Sequence, residues 1–261
     1  MANWTRDFVD IAGIRTEVHR GGQGAPLLVL HGAGGNAGWL QYHDAMAEHF
    51  DVLVPSHPGF GGSERPDWME TISDVAHFYT WFLRDLGLDG VSLIGHSMGG
   101  WIASELVAMG SRSFSKLVLS GPAGIKPEVG EITDIFLLSP EQVVERLFHD
   151  PSQSPEYQQI FGQEPPPEVQ AILAQNRETA VRYTWKPYMY NPRLPFLMQQ
   201  VRVPSLILWG RQDAIIPLNC GELYNRVLTG STLKVLENCG HVPELEKPQE
   251  FVSAVLEFLR S

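Results

Sequence analysis

Near its start the chain carries two stretches of near-alternating apolar and polar residues, Phe8-Val9-Asp10-Ile11 and Ile14-Arg15-Thr16-Glu17-Val18, with Ala12-Gly13 between them. This pattern predicts an antiparallel hairpin at the edge of a sheet. Pro26-Leu27-Leu28-Val29-Leu30 reads differently: it is an unbroken apolar run, as a strand covered on both faces requires. Val52-Leu53-Val54, Val91-Ser92-Leu93-Ile94 and Leu117-Val118-Leu119 repeat that pattern, and helical periodicity fills Trp39 to Phe50, Ser73 to Leu86 and Met98 to Met109. After Pro195 the alternation resumes with Leu206-Ile207-Leu208-Trp209, a helix from Leu218 to Leu228, Leu233-Lys234-Val235-Leu236 and a last helix from Pro248 to Leu259. Strands and helices in alternation predict an α/β fold with a mainly parallel, doubly wound sheet.

The interval from Pro122 to Leu197 breaks this rhythm, since it holds 11 of the 19 prolines and no run suited to a central strand. Helical patches are readable from Pro140 to Phe148 and from Glu168 to Tyr183, and prolines end each of them. Trp185, Tyr188, Met189, Tyr190 and Phe196 make the stretch too apolar to remain solvated. We therefore expect a sheet core made of residues 1–121 and 198–261, with residues 122–197 inserted as a helical cap.

Composition narrows the class. A chain of 261 residues with 43% hydrophobic content suits one large core with an elaboration. A net charge of −11 argues against nucleic acid and anionic membrane surfaces as partners but says little about substrate, which is expected to be a small molecule. Residues 1–7 lack an apolar leader, and no run is long enough to span a bilayer, so a cytoplasmic location is expected. Cys220 and Cys239 are the two cysteines and are expected to be reduced, small apolar side chains. Oligomeric state is left open.

The chemistry centres on Gly95-His96-Ser97-Met98-Gly99, which joins a buried strand to a helix. A G-x-S-x-G turn of this kind strains the serine backbone and exposes its oxygen at the top of a sheet. A serine hydroxyl is a weak nucleophile and needs a base, and the base needs a carboxylate to hold its tautomer. His241 and Asp213 follow the last two strands, where loops from the carboxyl edge reach a serine, and the chain order Ser, Asp, His is the one that accompanies this elbow. His96 is expected to point away from the serine, and Glu244 and Glu246 would have to fold back to replace Asp213. The oxyanion donors are expected to be the backbone N–H of Met98 and that of Ala33, with Gly34 as the alternative, in the loop His31-Gly32-Ala33-Gly34-Gly35. Gly32 to Ala37 also fits a dinucleotide fingerprint, but the ribose-binding acid is missing after Val54. No zinc-ligand spacing or P-loop lysine is present, so neither a metal nor a cofactor is expected.

Gly95 to Gly100, Gly210-Arg211-Gln212-Asp213 and Gly240-His241-Val242-Pro243-Glu244 together resemble the α/β-hydrolases over the whole length apart from the cap. The resemblance implies an α/β-hydrolase fold with an eight-stranded sheet, a variable cap, no cofactor, and Ser97, Asp213 and His241 as a catalytic triad. Pro58 to Ser63 resembles the family's turn after the next strand, which often opens with Asp where this chain has Ser56. Serine at the elbow separates the chain from the epoxide hydrolases and haloalkane dehalogenases. Carboxylic-ester hydrolysis is the first expectation. The alternative is carbon–carbon hydrolysis, as in the meta-cleavage-product hydrolases, from which the chain departs at His96 and Val242. A non-catalytic ligand receptor on the same fold is the third reading. Trp39, Trp185, Met189, Tyr190, Ile215 and Val242 are the candidate pocket residues beside Met98, and Arg182 and Lys186 could meet a substrate carboxylate or face solvent.

Overall fold

The structure is a computed structural model that describes residues 3–261. Met1 and Ala2, the start of the segment read as lacking a leader, lie outside the described residues. Eight strands form one sheet: β1 (Trp4–Ile11), β2 (Ile14–Gly22), β3 (Ala25–Leu30), β4 (Phe50–Pro55), β5 (Val91–His96), β6 (Phe114–Ser120), β7 (Ser205–Gly210) and β8 (Ser231–Leu236). Their spatial order is β1-β2-β4-β3-β5-β6-β7-β8. β1 and β2 are the expected antiparallel edge hairpin, β2 also runs antiparallel to β4, and the other neighbours are parallel.

Side chains alternate between two cores, one on each face of the sheet. Leu27 and Val29 join Tyr42, Met46 and Phe251 on one face, whereas Leu28 and Leu30 join Phe78, Ile102 and Tyr224 on the other. Burying each such leucine or isoleucine contributes roughly 1.5–3 kcal/mol, and burial from both sides explains the unbroken apolar runs. Helices α1 (Gln41–Ala47), α2 (Ile72–Asp85) and α3 (Met98–Met109) follow the first parallel strands. α1 starts two residues later than its periodicity suggested, because the Leu40 amide donates to His43 Nδ1 at 3.0 Å and caps the helix there.

Between β6 and β7 lie α4 (Pro140–Leu147), α5 (Tyr157–Phe161), α6 (Pro167–Thr184) and α7 (Leu194–Met198). The two ends of this excursion meet: the Gly124 amide donates to Met189 O and the Asn191 amide to Gly124 O, both at 2.9 Å. Asn191 Nδ2 also donates at 2.9 Å to Glu105 of α3, whose carboxylate takes Trp101 Nε1 and the Ser73 hydroxyl as well. α7 joins the layer beside the sheet, with Leu194 and Met198 fully buried in the core that contains α3, and Ala123, Ile125, Ala180, Tyr183 and Met189 of the interval reach the same core. The chain closes with α8 (Leu218–Val227), α9 (Pro243–Glu246) and α10 (Pro248–Arg260). Among the described residues no helix is long and apolar enough to cross a membrane. Cys220 and Cys239 are free and buried, and burial pushes the Cys220 thiol up to about 12.

Candidate active site

From β3 the chain steps to β4 on one side, and the later strands continue from β5 on the other. The carboxyl ends of β3 and β5 therefore diverge at a topological switch point, where open α/β sheets form a crevice. Ser97 and the loop after Leu30 stand on its two sides.

Ser97 has φ 51° and ψ −115°. It is half-buried, its amide donates to Ser120 O at 2.9 Å, and it heads α3. The flanking glycines are sterically required. A Cβ on Gly99 would lie 2.2 Å from Leu30 O, and one on Gly95 would lie 2.6 Å from Gly99 O. The elbow is thus wedged between the end of β3 and the first turn of α3. Gly32 borders the serine, with its Cβ position 3.8 Å from Ser97 Oγ. The Met98 amide is in the first helical turn, where no intrahelical acceptor exists, and among the described residues the Ala33 amide meets no backbone acceptor.

His241 and Asp213 are brought together directly, with Nδ1 2.7 Å from Asp213 Oδ2. The other carboxylate oxygen, Oδ1, accepts from the Ile215 and Ile216 amides at 2.8 Å each. The His loop and the Asp loop are zipped by Gln212 N to Cys239 O at 2.9 Å and Cys239 N to Gln212 Oε1 at 3.0 Å. Burial works to lower the His241 pKa, but Asp213, with Glu244 behind it, overrides this and raises it. With Nδ1–H committed to Asp213, Nε2 is the basic nitrogen. The imidazole borders Gly121, next to the Ser120 carbonyl that holds the Ser97 amide.

His96 points away from the serine, toward α1 and α9: its Nε2 lies 3.2 Å from Tyr42 Oη and its Nδ1 3.3 Å from Glu244. Glu246 takes the Gly240 and Asp150 amides, both at 2.6 Å, so it braces the His loop from below. His31 Nδ1–H donates within its loop to Gly32 O at 2.8 Å, and His31 Nε2 accepts from the His57 amide at 3.0 Å. The carboxylate that Ser56 does not provide comes from β2 instead. Glu17 Oε2 takes the Gly62 amide at 2.6 Å and the Ser56 hydroxyl at 3.4 Å. His19, the Gly62 amide and Arg6 hold Glu17 down to about 2, against the effect of burial.

The candidate pocket residues divide. Met189 and Ile215 are buried in the same core cluster as Met98. Tyr190 is half-buried at the meeting point of the cap's ends, its ring 5.8 Å from Lys126 Nζ, and Val242 is half-buried at the head of α9. Trp39 is not with them. It stacks on Trp4 at 5.7 Å and donates to Asp44 at 3.0 Å, because the loop has by then wound over the edge hairpin. Trp185 is 60% exposed, and Arg182 and Lys186 also face solvent. Arg177, on α6, is occupied by the Phe136 and Leu138 carbonyls at 2.8 and 3.0 Å. Glu17 and Asn176 carried no signal in the sequence, since an alternating strand and a helix interior each accept a polar residue for ordinary reasons, whereas Glu246, weighed as a stand-in for Asp213, holds the Gly240 amide instead. Among the described residues no group of three or more His, Cys, Asp or Glu is placed to hold a metal.

Residues 27–254 match the model of the Alpha/beta hydrolase family. The chain belongs to that family. Proteins similar to it include the 2-hydroxy-6-oxo-6-(2'-aminophenyl)hexa-2,4-dienoic acid hydrolase of Metapseudomonas resinovorans, 26% identical over 97% of this chain and 90% of the relative. The 2-hydroxy-6-oxo-2,4-heptadienoate hydrolase of Pseudomonas putida is 28% identical over 95% of this chain and 93% of its own length. Among solved structures, the 2-hydroxy-6-oxo-6-phenylhexa-2,4-dienoate hydrolase from Rhodococcus sp. superposes with a TM-score of 0.81 at 22% identity and covers 100% of both chains, a likeness of fold.

Proposed function

We propose that this alpha/beta hydrolase cleaves a small, largely apolar carboxylic ester through an acyl-enzyme on Ser97. His241 takes the serine proton as Ser97 attacks the carbonyl and returns it to the departing alcohol, while Asp213 keeps the imidazole oriented. The Ala33 and Met98 amides stabilise the oxyanion, and water, activated by the same histidine, releases the acid. The observation that carries this reading is the buried 2.7 Å contact of His241 with Asp213, on the sheet edge where Ser97 is held at positive φ. Residues 122–197, as a cap over that edge, would set substrate size.

A second reading, hydrolysis of a carbon–carbon bond in a dienoic ketone, is favoured by the names of the relatives. Such a substrate carries a carboxylate, and none of the six Lys and Arg side chains of residues 122–197 is buried and unoccupied to meet one: Lys126, Arg146, Arg182, Lys186 and Arg193 are exposed and Arg177 is held by the Phe136 and Leu138 carbonyls. The test is turnover of p-nitrophenyl acetate and butyrate beside 2-hydroxy-6-oxohepta-2,4-dienoate, with Ser97→Ala as the control. Faster specific turnover of the esters, abolished in Ser97→Ala, is expected. A kcat/KM higher for the dienoate would reverse the choice, and an active Ser97→Ala would remove Ser97 from the mechanism.

A further inference from the structure

Asn176 sits in the interior of the 18-residue helix α6 and is 4% exposed. Asparagine is a poor helix former, because its amide competes for backbone groups, so its burial there calls for a partner outside the helix. It has two, on different core loops. Its Nδ2 donates to Gly34 O at 3.1 Å, and its Oδ1 accepts from the Gly61 amide at 2.9 Å. The first loop contains Ala33 and follows β3; the second follows β4.

The loop after β3 has little of its own to hold it. Three of its four residues from Gly32 to Gly35 are glycines, the freest of all residues. Gly35 N to Gly32 O at 3.2 Å closes a turn, but Gly34 is exposed, and a Cβ there would meet nothing within 4 Å. Gly35, at φ +97°, is tighter: a Cβ on it would come within 2.2 Å of Asn176 Nδ2, so the amide occupies the space a side chain would need. Gly34 C=O and Gly35 N–H share one peptide plane, Gly32 C=O and Ala33 N–H share another, and the Gly35 N to Gly32 O bond joins the two, so an outside hold on the Gly34 carbonyl steadies the plane that carries the Ala33 N–H.

We infer that Asn176 is a positioning residue for the oxyanion hole: from the cap, it holds the Gly34 carbonyl and thereby aims the Ala33 amide. The inference rests on the assignment of Ala33 as an oxyanion donor. It couples cap seating to transition-state stabilisation, so its loss lowers kcat rather than substrate affinity.

The experiment compares Asn176→Ala, Asn176→Asp and Tyr183→Phe with the parent on p-nitrophenyl butyrate. Asn176→Asp keeps an acceptor for Gly61 N–H but loses the donor to Gly34 O. Tyr183→Phe removes another tie from α6 to the core, Oη to Pro58 O at 2.9 Å, without touching Gly34. Both Asn176 variants are expected to lose about 10- to 100-fold in kcat with KM within about threefold. Their affinity for a trifluoromethyl ketone, which mimics the oxyanion, should weaken by the same factor, and Tyr183→Phe should stay within about twofold of the parent. An Asn176→Asp enzyme with parental kcat, or a Tyr183→Phe enzyme as impaired as Asn176→Ala, would overturn the inference. Ser97→Ala assayed alongside separates the levels: its inactivity with a parental Asn176→Asp sinks this inference alone, whereas its activity sinks the underlying mechanism and this inference together.

Discussion

The two sides of Ser97 are built from different materials. On the His241 side the contacts are short, side-chain based and internal to the sheet core, with Asp213 fixed by two amides and the two loops zipped through Gln212 and Cys239. On the Ala33 side the chain is glycine-rich, and its outer contacts come from α6 of the cap: Asn176 on Gly34 and Gly61, Gln175 on Gly59 at 3.0 Å and Thr179 on Gly59 at 3.1 Å. The cap also reaches the base side, where Leu147 O takes the His241 amide at 2.7 Å, but it meets a loop already secured from within. On the proposed assignment of His241 and Ala33, the base is held from within the scaffold, while the oxyanion side is held in part by α6.

The largest test of this contrast is Asp213→Asn. Removing the carboxylate should cut kcat by about 10⁴-fold, because the imidazole loses its tautomer, with little change in the melting temperature. The same variant tests the direction of the His241 shift. The working base is the neutral form and its pKa is raised, so kcat/KM of the parent should fall toward acid pH through a point above the ordinary histidine value. In Asp213→Asn that point should move to lower pH. An unmoved acid limb would mean that another group controls it.

Gly210→Ala comes next. A Cβ there would lie 1.9 Å from Gly240 O, so one of the zipped loops must shift. We expect about 3 kcal/mol of destabilisation in urea unfolding and roughly a 100-fold loss of kcat as His241 is displaced. Glu17→Gln touches the other side from beneath, in the turn that receives α6. A group held near 2 contributes stability that is complete above the ordinary carboxylate range and is lost as pH falls through that range toward 2. The parent should therefore be more stable than Glu17→Gln by about 2–3 kcal/mol at pH 7, the gap narrowing below pH 4. A gap that stays constant with pH would count against the carboxylate. Smallest of all is Trp185→Ala, expected within about twofold in kcat/KM and about 0.5 kcal/mol in stability, since the ring is 60% exposed.

The same contrast explains what could be read from the residues. The strands were legible because burial from both faces leaves unbroken apolar runs, and the hairpin because an edge strand alternates. Ser97, Asp213 and His241 were legible as positions because each lies at or in the loop after the end of a strand, and the carboxyl ends of parallel strands share one edge. Asn176 and Glu17 were not, for their roles exist only once α6 lies on the glycine loops and β2 runs beside the end of β4, and no local pattern encodes either contact. Trp39 misled for a related reason, because a tryptophan near the site in sequence can be carried to another face by a few loop residues.

The paired backbone at Gly124, Met189 and Asn191 bears on how such a molecule diversifies. An insert whose two ends meet within hydrogen-bonding distance is, to the sheet, no more than a long turn, and lengthening a closed excursion adds chain entropy only logarithmically. Whole covers can thus be exchanged or rebuilt while the strands keep their register, and a lineage can change what it digests without re-solving how to fold. The exception is the residue that a replacement cover must bring with it, an amide able to reach the Gly34 carbonyl.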